Sequence, residues 1–306
     1  MALKIIFMGT PNFAVPILET ICNSKHKILT VYSQPPKKKN RGLKELISPI
    51  HDFCNKKGLN LRHPKNLGSD EEYKYIKDLN PDVVLVVAYG KILPKKILSL
   101  SEIKFINIHA SLLPRWRGAA PIQRSIMNLD KETGISIMKI TEQLDAGPYM
   151  LQETVKILKE DNHNTLNTKL SYVGSKSIIK ALDLIETGKA NFIDQDNSKV
   201  CYAKKIEKKE SLINWNEPAK IIVAKIRGLN PYPGIWFTHN KNRLKIIQAS
   251  EAEKSGNIGE VLDENLTVGC GKGSLKIEKI QKEGKKILKA KEFLAGYKIK
   301  KGENLI

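Results

Sequence analysis

Val83-Val84-Leu85-Val86-Val87 is apolar at every position. A strand with one face in water alternates apolar and polar residues, so this run predicts a strand covered on both faces, as at the centre of a parallel sheet. Its surroundings agree: over the first 190 residues short apolar runs alternate with longer amphipathic stretches, the order of a sheet wrapped in helices. The runs predict strands over Leu3 to Met8, Ile28 to Tyr32, Val83 to Val87, Lys104 to Ile108, Ile135 to Ile140 and Met150 to Ile157, a Rossmann-like parallel sheet of the α/β class. Between Asn167 and Gly188, residues Leu170, Val173, Ser177, Ile178, Ala181, Leu182 and Ile185 recur at helical spacing, and Gly188 suits the carboxyl-terminal cap.

Polar, weakly periodic residues follow, which places a first domain at 1–190 and a linker at 191–205. Residues 206–306 read as a small OB-like β-barrel. Short segments at Ile235 to Thr238, Leu244 to Ala249, Gly259 to Leu262, Thr267 to Cys270 and Ser274 to Ile280 alternate with Asn, Gly and Lys turns, with one helix around Pro218 to Arg227.

Charge separates the two parts further. The chain has 52 Lys and Arg against 32 Asp and Glu, a formal net charge of +20. Residues 201–306 hold 22 basic and 12 acidic groups and residues 1–200 hold 30 and 20, so the second part is about twice as basic per residue. Such a field attracts a polyanion, although a lysine-rich composition also scatters surface charge that needs no ligand. The apolar share, 41%, supports a sizeable core and excludes wholesale disorder. The longest apolar run, Val83 to Tyr89, falls far short of the roughly 20 residues that cross a bilayer. The opening MALKIIFMGTPNF reaches Gly-Thr-Pro too early for a secretory leader, so a cytoplasmic protein with no membrane partner is expected. Cys22, Cys54, Cys201 and Cys270 form no C-x-x-C pair and have no His at zinc spacing, which predicts four reduced thiols and no metal site. His26, His51, His63, His163 and His239 stand among polar residues and are read as surface groups.

Ligands of open α/β sheets sit beyond the carboxyl ends of the strands. In Phe105-Ile106-Asn107-Ile108-His109 alternation puts Asn107 and His109 on one face, about 7 Å apart. An amide can donate to a developing oxyanion and an imidazole can move a proton near neutral pH. Equally, His109 could cap a strand end and Asn107 satisfy loop backbone. Asp145, in Glu142-Gln143-Leu144-Asp145-Ala146-Gly147-Pro148, could orient His109, or serve as an ordinary turn residue. Trp116 between Arg115 and Arg117 is either an exposed stacking element or loop packing. Gly9-Thr10-Pro11-Asn12-Phe13-Ala14 has one glycine where a dinucleotide fingerprint needs three, which disfavours nucleotide binding of that type.

Together these segments resemble the 10-formyltetrahydrofolate-dependent formyltransferase family over nearly the whole chain. The shared pieces are Gly9-Thr10-Pro11 with Phe13-Ala14, Gln34-Pro35, Arg41-Gly42, Ala88-Tyr89-Gly90, the stretch Asn107 to Arg124, Asp145-Ala146-Gly147-Pro148 and Asn230-Pro231-Tyr232-Pro233-Gly234. Gly118-Ala119-Ala120-Pro121-Ile122-Gln123-Arg124 and the later PYPG point to the branch that acts on initiator Met-tRNA. The resemblance implies a formyltransferase domain followed by an OB-like tRNA-binding domain, with 10-formyltetrahydrofolate as co-substrate and no metal. It implies Asn107, His109 and Asp145 as the catalytic trio, and a folate pocket formed by Ala88, Tyr89, Gly90, Ser111, Leu112, Leu113 and Pro114. Lys37, Lys38, Lys39, Arg41 and Lys44 would meet the tRNA acceptor stem, and a monomer is expected. Where the family shows Gly-Arg-Gly-Lys-Lys, this chain has Asn40-Arg41-Gly42-Leu43-Lys44 and so lacks one glycine and one lysine. Amino-sugar formyl transfer, formyl hydrolysis and non-catalytic RNA binding are the rival readings.

Overall fold

A computed structural model describes residues 2–39 and 44–306. The chain divides into two compact units that are not contiguous halves. The first comprises Met1–Gly118, Thr133–Val155 and Asn167–Tyr202, and the second Ala119–Glu132, Lys156–Leu166 and Ala203–Ile306.

In chain order the first sheet is built from β1 (Lys4–Gly9), β2 (Lys27–Tyr32), β3 (Leu61–Arg62), β4 (Val83–Val87), β5 (Lys104–His109), β6 (Glu132–Lys139) and β7 (Tyr149–Lys156). Their spatial order is β7-β6-β5-β4-β1-β2-β3. Every residue of β4 is buried, as its unbroken apolar run requires. Pairings β1–β2, β1–β4, β2–β3 and β4–β5 are parallel, but β6 runs antiparallel to β5. The sheet is therefore mostly parallel rather than wholly so, because buried apolar residues mark a strand and not its direction.

The strand order reverses between β1 and β4, where Gly9 pairs with Val87. A Cβ on Gly9 would lie 2.7 Å from the Phe7 ring and 3.1 Å from Val87 O, so only glycine permits this close approach at the switch point. Local signals fix the flanking helices. Asp70–Leu79 has Ser69 as its cap, accepting from Glu72 N, and Asp70, Glu71 and Glu72 in its first turn, where acids favour the helix dipole. His163–Glu186 starts four residues before the expected Asn167, and Gly188 (φ +68°) follows it with Lys189 N–H donating to Leu184 O.

The second unit holds β8 (Ile235–His239), β9 (Asn242–Ala252), β10 (Thr267–Gly269), β11 (Ser274–Lys282) and β12 (Ile287–Lys289). They form an antiparallel sheet in the order β8-β9-β11-β10, with β12 also on β11. The expected strand Gly259 to Leu262 is absent as a ladder: Glu260 and Val261 make only isolated bridges, to Asn304 and Val268. Helix Ala219–Leu229 packs on Pro121–Met127, and Gly228 allows the approach, since a Cβ there would lie 2.8 Å from Met127 Cγ.

Phe237 is 1% exposed in this core, with Trp215 edge-on at 5.8 Å. Phe237→Ala should therefore lower the stability of this unit by about 3 to 5 kcal/mol. Denaturant unfolding followed by Trp215 fluorescence reads the change, and a loss below about 1 kcal/mol would mean that the site collapses around the void. All four cysteines are free thiols, two of them buried. Two histidines depart from the surface reading: His26 is buried with Nδ1 3.2 Å from Leu3 N, and His239 is buried between Tyr297 Oη and Glu303. Polar neighbours in sequence say little about burial when the partners come from elsewhere in the chain.

Candidate active site

The carboxyl ends of β4 and β5 adjoin, with Val86 paired to Asn107, and the turn between β6 and β7 brings Asp145 to His109. β5 alternates as expected, and it places Asn107 opposite Met138 and His109 opposite Ser136 on β6. Asn107 is half-buried, and its side-chain amide makes no hydrogen bond to another described residue. His109 is 6% exposed.

His109 is gripped by the loop that follows it. Nε2 lies 2.9 Å from Trp116 O, and a carbonyl only accepts, so in this pairing Nε2 carries the hydrogen. Nδ1 stands 3.6 Å from Asp145 Oδ2, within ion-pair range but longer than a hydrogen bond. The direct hydrogen bond of that carboxylate comes from Gly118 N–H at 2.8 Å. Residues 116 to 118 thus hold both the imidazole and the carboxylate. Trp116 (φ +62°) and Asp145 (φ +48°) both adopt left-handed backbone, a conformation that clusters at functional sites when the surroundings impose it.

The loop from Ser111 to Pro114 hangs on one serine. Ser136 Oγ donates to Ser111 O at 2.7 Å and accepts from Leu113 N at 3.0 Å and Gln152 Nε2 at 2.8 Å, while Gln152 also donates to Leu113 O. Ser111 closes the turn through its hydroxyl on Arg115 O. Neither Ser136 nor Gln152 was singled out from sequence, although Ser136 gave a signal as a polar residue inside the apolar run Ile135 to Ile140.

At the end of β4, Ala88 (φ +48°) and Gly90 (φ +78°) turn the chain sharply. Tyr89 contributes backbone there: its ring lies in the core beside Met8, Tyr32 and Val86, and its carbonyl accepts from Thr10 Oγ1 and Gln34 Nε2. Burial pushes the Tyr89 hydroxyl up to about 12. Lys37–Lys39 and Lys44–Leu46 form a two-stranded antiparallel ribbon, pairing Lys37 with Leu46 and Lys39 with Lys44. Arg41 lies outside the described residues.

One group of potential metal ligands occurs among the described residues, His26, Asp183 and Glu186, away from the trio. Lys25 Nζ sits 2.9 Å from Asp183 and 2.6 Å from Glu186, so an ammonium already bridges the carboxylates. His26 Nδ1 accepts from Leu3 N–H, which leaves the hydrogen on Nε2, facing them.

Two family models match the chain: Formyl transferase over residues 3–182, and Formyl transferase, C-terminal domain, over 205–298. A methionyl-tRNA formyltransferase of Pelagibacter ubique is 50% identical over 100% of this chain and 99% of its own length, and one of Rickettsia bellii is 40% identical over 97% of each. Among solved structures, an N-formyltransferase from Helicobacter canadensis in complex with folinic acid and dTDP-3-aminofucose superposes with a TM-score of 0.68 at 20% identity, covering 92% of this chain and all of that one. HypX from Aquifex aeolicus with tetrahydrofolic acid gives 0.66 at 17% identity, covering 99% of this chain and 51% of its own. These two likenesses concern the fold, an α/β formyltransferase domain followed by a domain of antiparallel strands. Full-length identity to the first two relatives decides the branch, and the chain belongs to the methionyl-tRNA formyltransferase family.

Proposed function

We propose that the chain is the enzyme that moves the formyl group of 10-formyltetrahydrofolate to the α-amino group of initiator Met-tRNA. The observation that carries this reading is the 50% identity extending over the whole chain, both units included. The folate supplies an activated formyl carbon bonded to a nitrogen that can leave. Everything else falls to the residues at the ends of β4 and β5.

Asn107 fits the oxyanion role because its amide is committed to nothing in the protein and is aimed from the strand end where ligands of such sheets bind. It would donate to the formyl oxygen as the amine adds to the carbon. The adding amine gives up one proton and the departing nitrogen takes one, and His109 would carry it, holding hydrogen on both ring nitrogens before it donates from Nε2. For that, Nε2–H must exchange Trp116 O for the substrate, and catalytic hydrogen bonds commonly tighten only in the reacting complex. Asp145 would face the other edge of the imidazole and limit its rotation. Ala88, Gly90 and Ser111 to Pro114 would line the folate pocket, Tyr89 contributing its backbone. Every group named comes from one chain, so a monomer suffices. A cytoplasmic location follows from the substrate.

Residues 206–306, with Lys37 to Lys39, Arg41 and Lys44, would hold the tRNA through its phosphates. Binding should then weaken steeply with salt: neutralising about six phosphates loses about a thousandfold in affinity between roughly 50 and 200 mM salt. Filter binding of initiator tRNA across that range tests the role, and a flat response would remove it.

The deciding assay offers the purified protein 10-formyltetrahydrofolate with charged initiator tRNA, charged elongator Met-tRNA and an amino-sugar nucleotide in parallel. Formylation of the initiator alone is expected. Transfer to the sugar, or release of free formate, would replace this reading with one of its rivals.

A further inference from the structure

We propose that Gln195, in the stretch that the sequence presents as a linker, is a positioning residue for the reaction, because its carboxamide fixes the backbone that carries Asp145. The proposal rests on the formyl-transfer reading above.

Asp145 occupies left-handed backbone, which an aspartate keeps only when its surroundings hold it there. Gly118 N–H takes its carboxylate. Gln195 takes its backbone: Nε2 donates to Asp145 O at 2.9 Å and to Gly147 O at 2.7 Å, spanning the turn. On its other side, Gln195 Oε1 accepts from Arg117 Nε at 2.9 Å, and Arg117 Nη2 reaches Asn197 Oδ1 at 3.2 Å. Arg117 is 5% and Gln195 8% exposed, so these bonds are not traded with water. The arrangement closes on itself, because Arg117 lies between Trp116, whose carbonyl faces His109, and Gly118, whose N–H holds Asp145.

The position demands two donors on one nitrogen and an acceptor on the opposite side, which a primary carboxamide alone supplies. A glutamate would gain an ion pair with Arg117 but set a carboxylate against two carbonyl oxygens. A methionine would keep the volume and lose all three bonds. Gln195 hydrogen-bonds neither His109 nor the carboxylate of Asp145, so it acts through the Asp145 backbone. Without it the turn from 145 to 147 relaxes, and the carboxylate drifts from His109.

The test is steady-state formylation of Met-tRNA by the full chain and by Gln195→Met, Gln195→Glu, Asp145→Asn and the double variant Gln195→Met/Asp145→Asn, with thermal unfolding of each. Both Gln195 variants should lose kcat by about tenfold or more, toward the roughly hundredfold that about 1 Å of misplacement costs, with the KM for Met-tRNA within about twofold of wild type. Because Gln195 works through Asp145, the double variant should fall no lower than Asp145→Asn alone. Wild-type turnover in a folded Gln195 variant overturns the proposal. So do losses that multiply in the double variant, or failure of both single variants to fold, which would assign Gln195 to stability. If only one variant folds, it alone decides. An inactive wild type would instead overturn the functional reading itself, so the two failures are distinguishable.

Discussion

Replacing Asn107 or His109 by alanine is expected to lower the turnover number for formyl transfer at least about a hundredfold, because loss of one oxyanion donor costs roughly 3 to 4 kcal/mol of transition-state stabilisation and loss of a positioned proton carrier costs about a hundredfold to ten-thousandfold in rate. The two variants should differ in stability. The amide of Asn107 bonds to no other described residue, so Asn107→Ala breaks no hydrogen bond among them, and unfolding should stay close to wild type. His109 is buried with its Nε2–H on Trp116 O, so His109→Ala breaks that bond and leaves a void where the ring stood. The lost bond costs about 1 kcal/mol and the void adds to it, which should appear in denaturant unfolding of His109→Ala and not of Asn107→Ala. Turnover has to be measured with both substrates saturating, since weakened binding alone would leave it intact. Wild-type turnover in folded His109→Ala protein would remove the imidazole from the chemistry.

What the sequence made legible follows the range of the interactions concerned. Val83 to Val87 was readable residue for residue, because burial on both faces leaves its mark within five consecutive positions. The placement of Asn107 and His109 at the end of one strand was readable for the same reason, since alternation is local. The antiparallel course of β6 was not, since nothing in Ile135 to Ile140 encodes the neighbour's direction. Leu61–Arg62 was too short to carry a pattern. The site's support was the least legible part. Gln195 meets residues 48, 50 and 78 positions away, and in its own stretch it is one more polar residue among Asp194, Asp196 and Asn197. Polarity without periodicity is the signature of a linker, and equally of a segment whose side chains all serve distant backbone. Only the fold distinguishes the two. Ser136 shows the intermediate case, a polar side chain in an apolar strand, where the mismatch with its surroundings is itself the clue.

Asp145→Asn separates charge from geometry more cleanly than any other single change in this site. Oδ2 alone meets both Gly118 N–H and the Nδ1 edge of His109, so an asparagine that places its amide oxygen there keeps both contacts and gives up the negative charge. Its fold should therefore survive. Turnover should still fall at least about a hundredfold, since the corresponding change beside a catalytic imidazole reaches about ten-thousandfold. In the proposed role His109 passes through a state with hydrogen on both nitrogens as it handles the transferred proton, and the Asp145 carboxylate 3.6 Å from Nδ1 would favour that state where a neutral amide would not. Asp145→Ala should lose both activity and stability, because the Gly118 N–H is left without an acceptor at a turn already held in left-handed backbone. The KM for Met-tRNA should stay close to wild type in the asparagine variant, as the carboxylate is assigned no contact with the tRNA. Near-normal turnover in Asp145→Asn, with the alanine variant inactive, would show that the carboxylate serves only to pin the loop from 116 to 118. Its charge would then have no part in moving the proton.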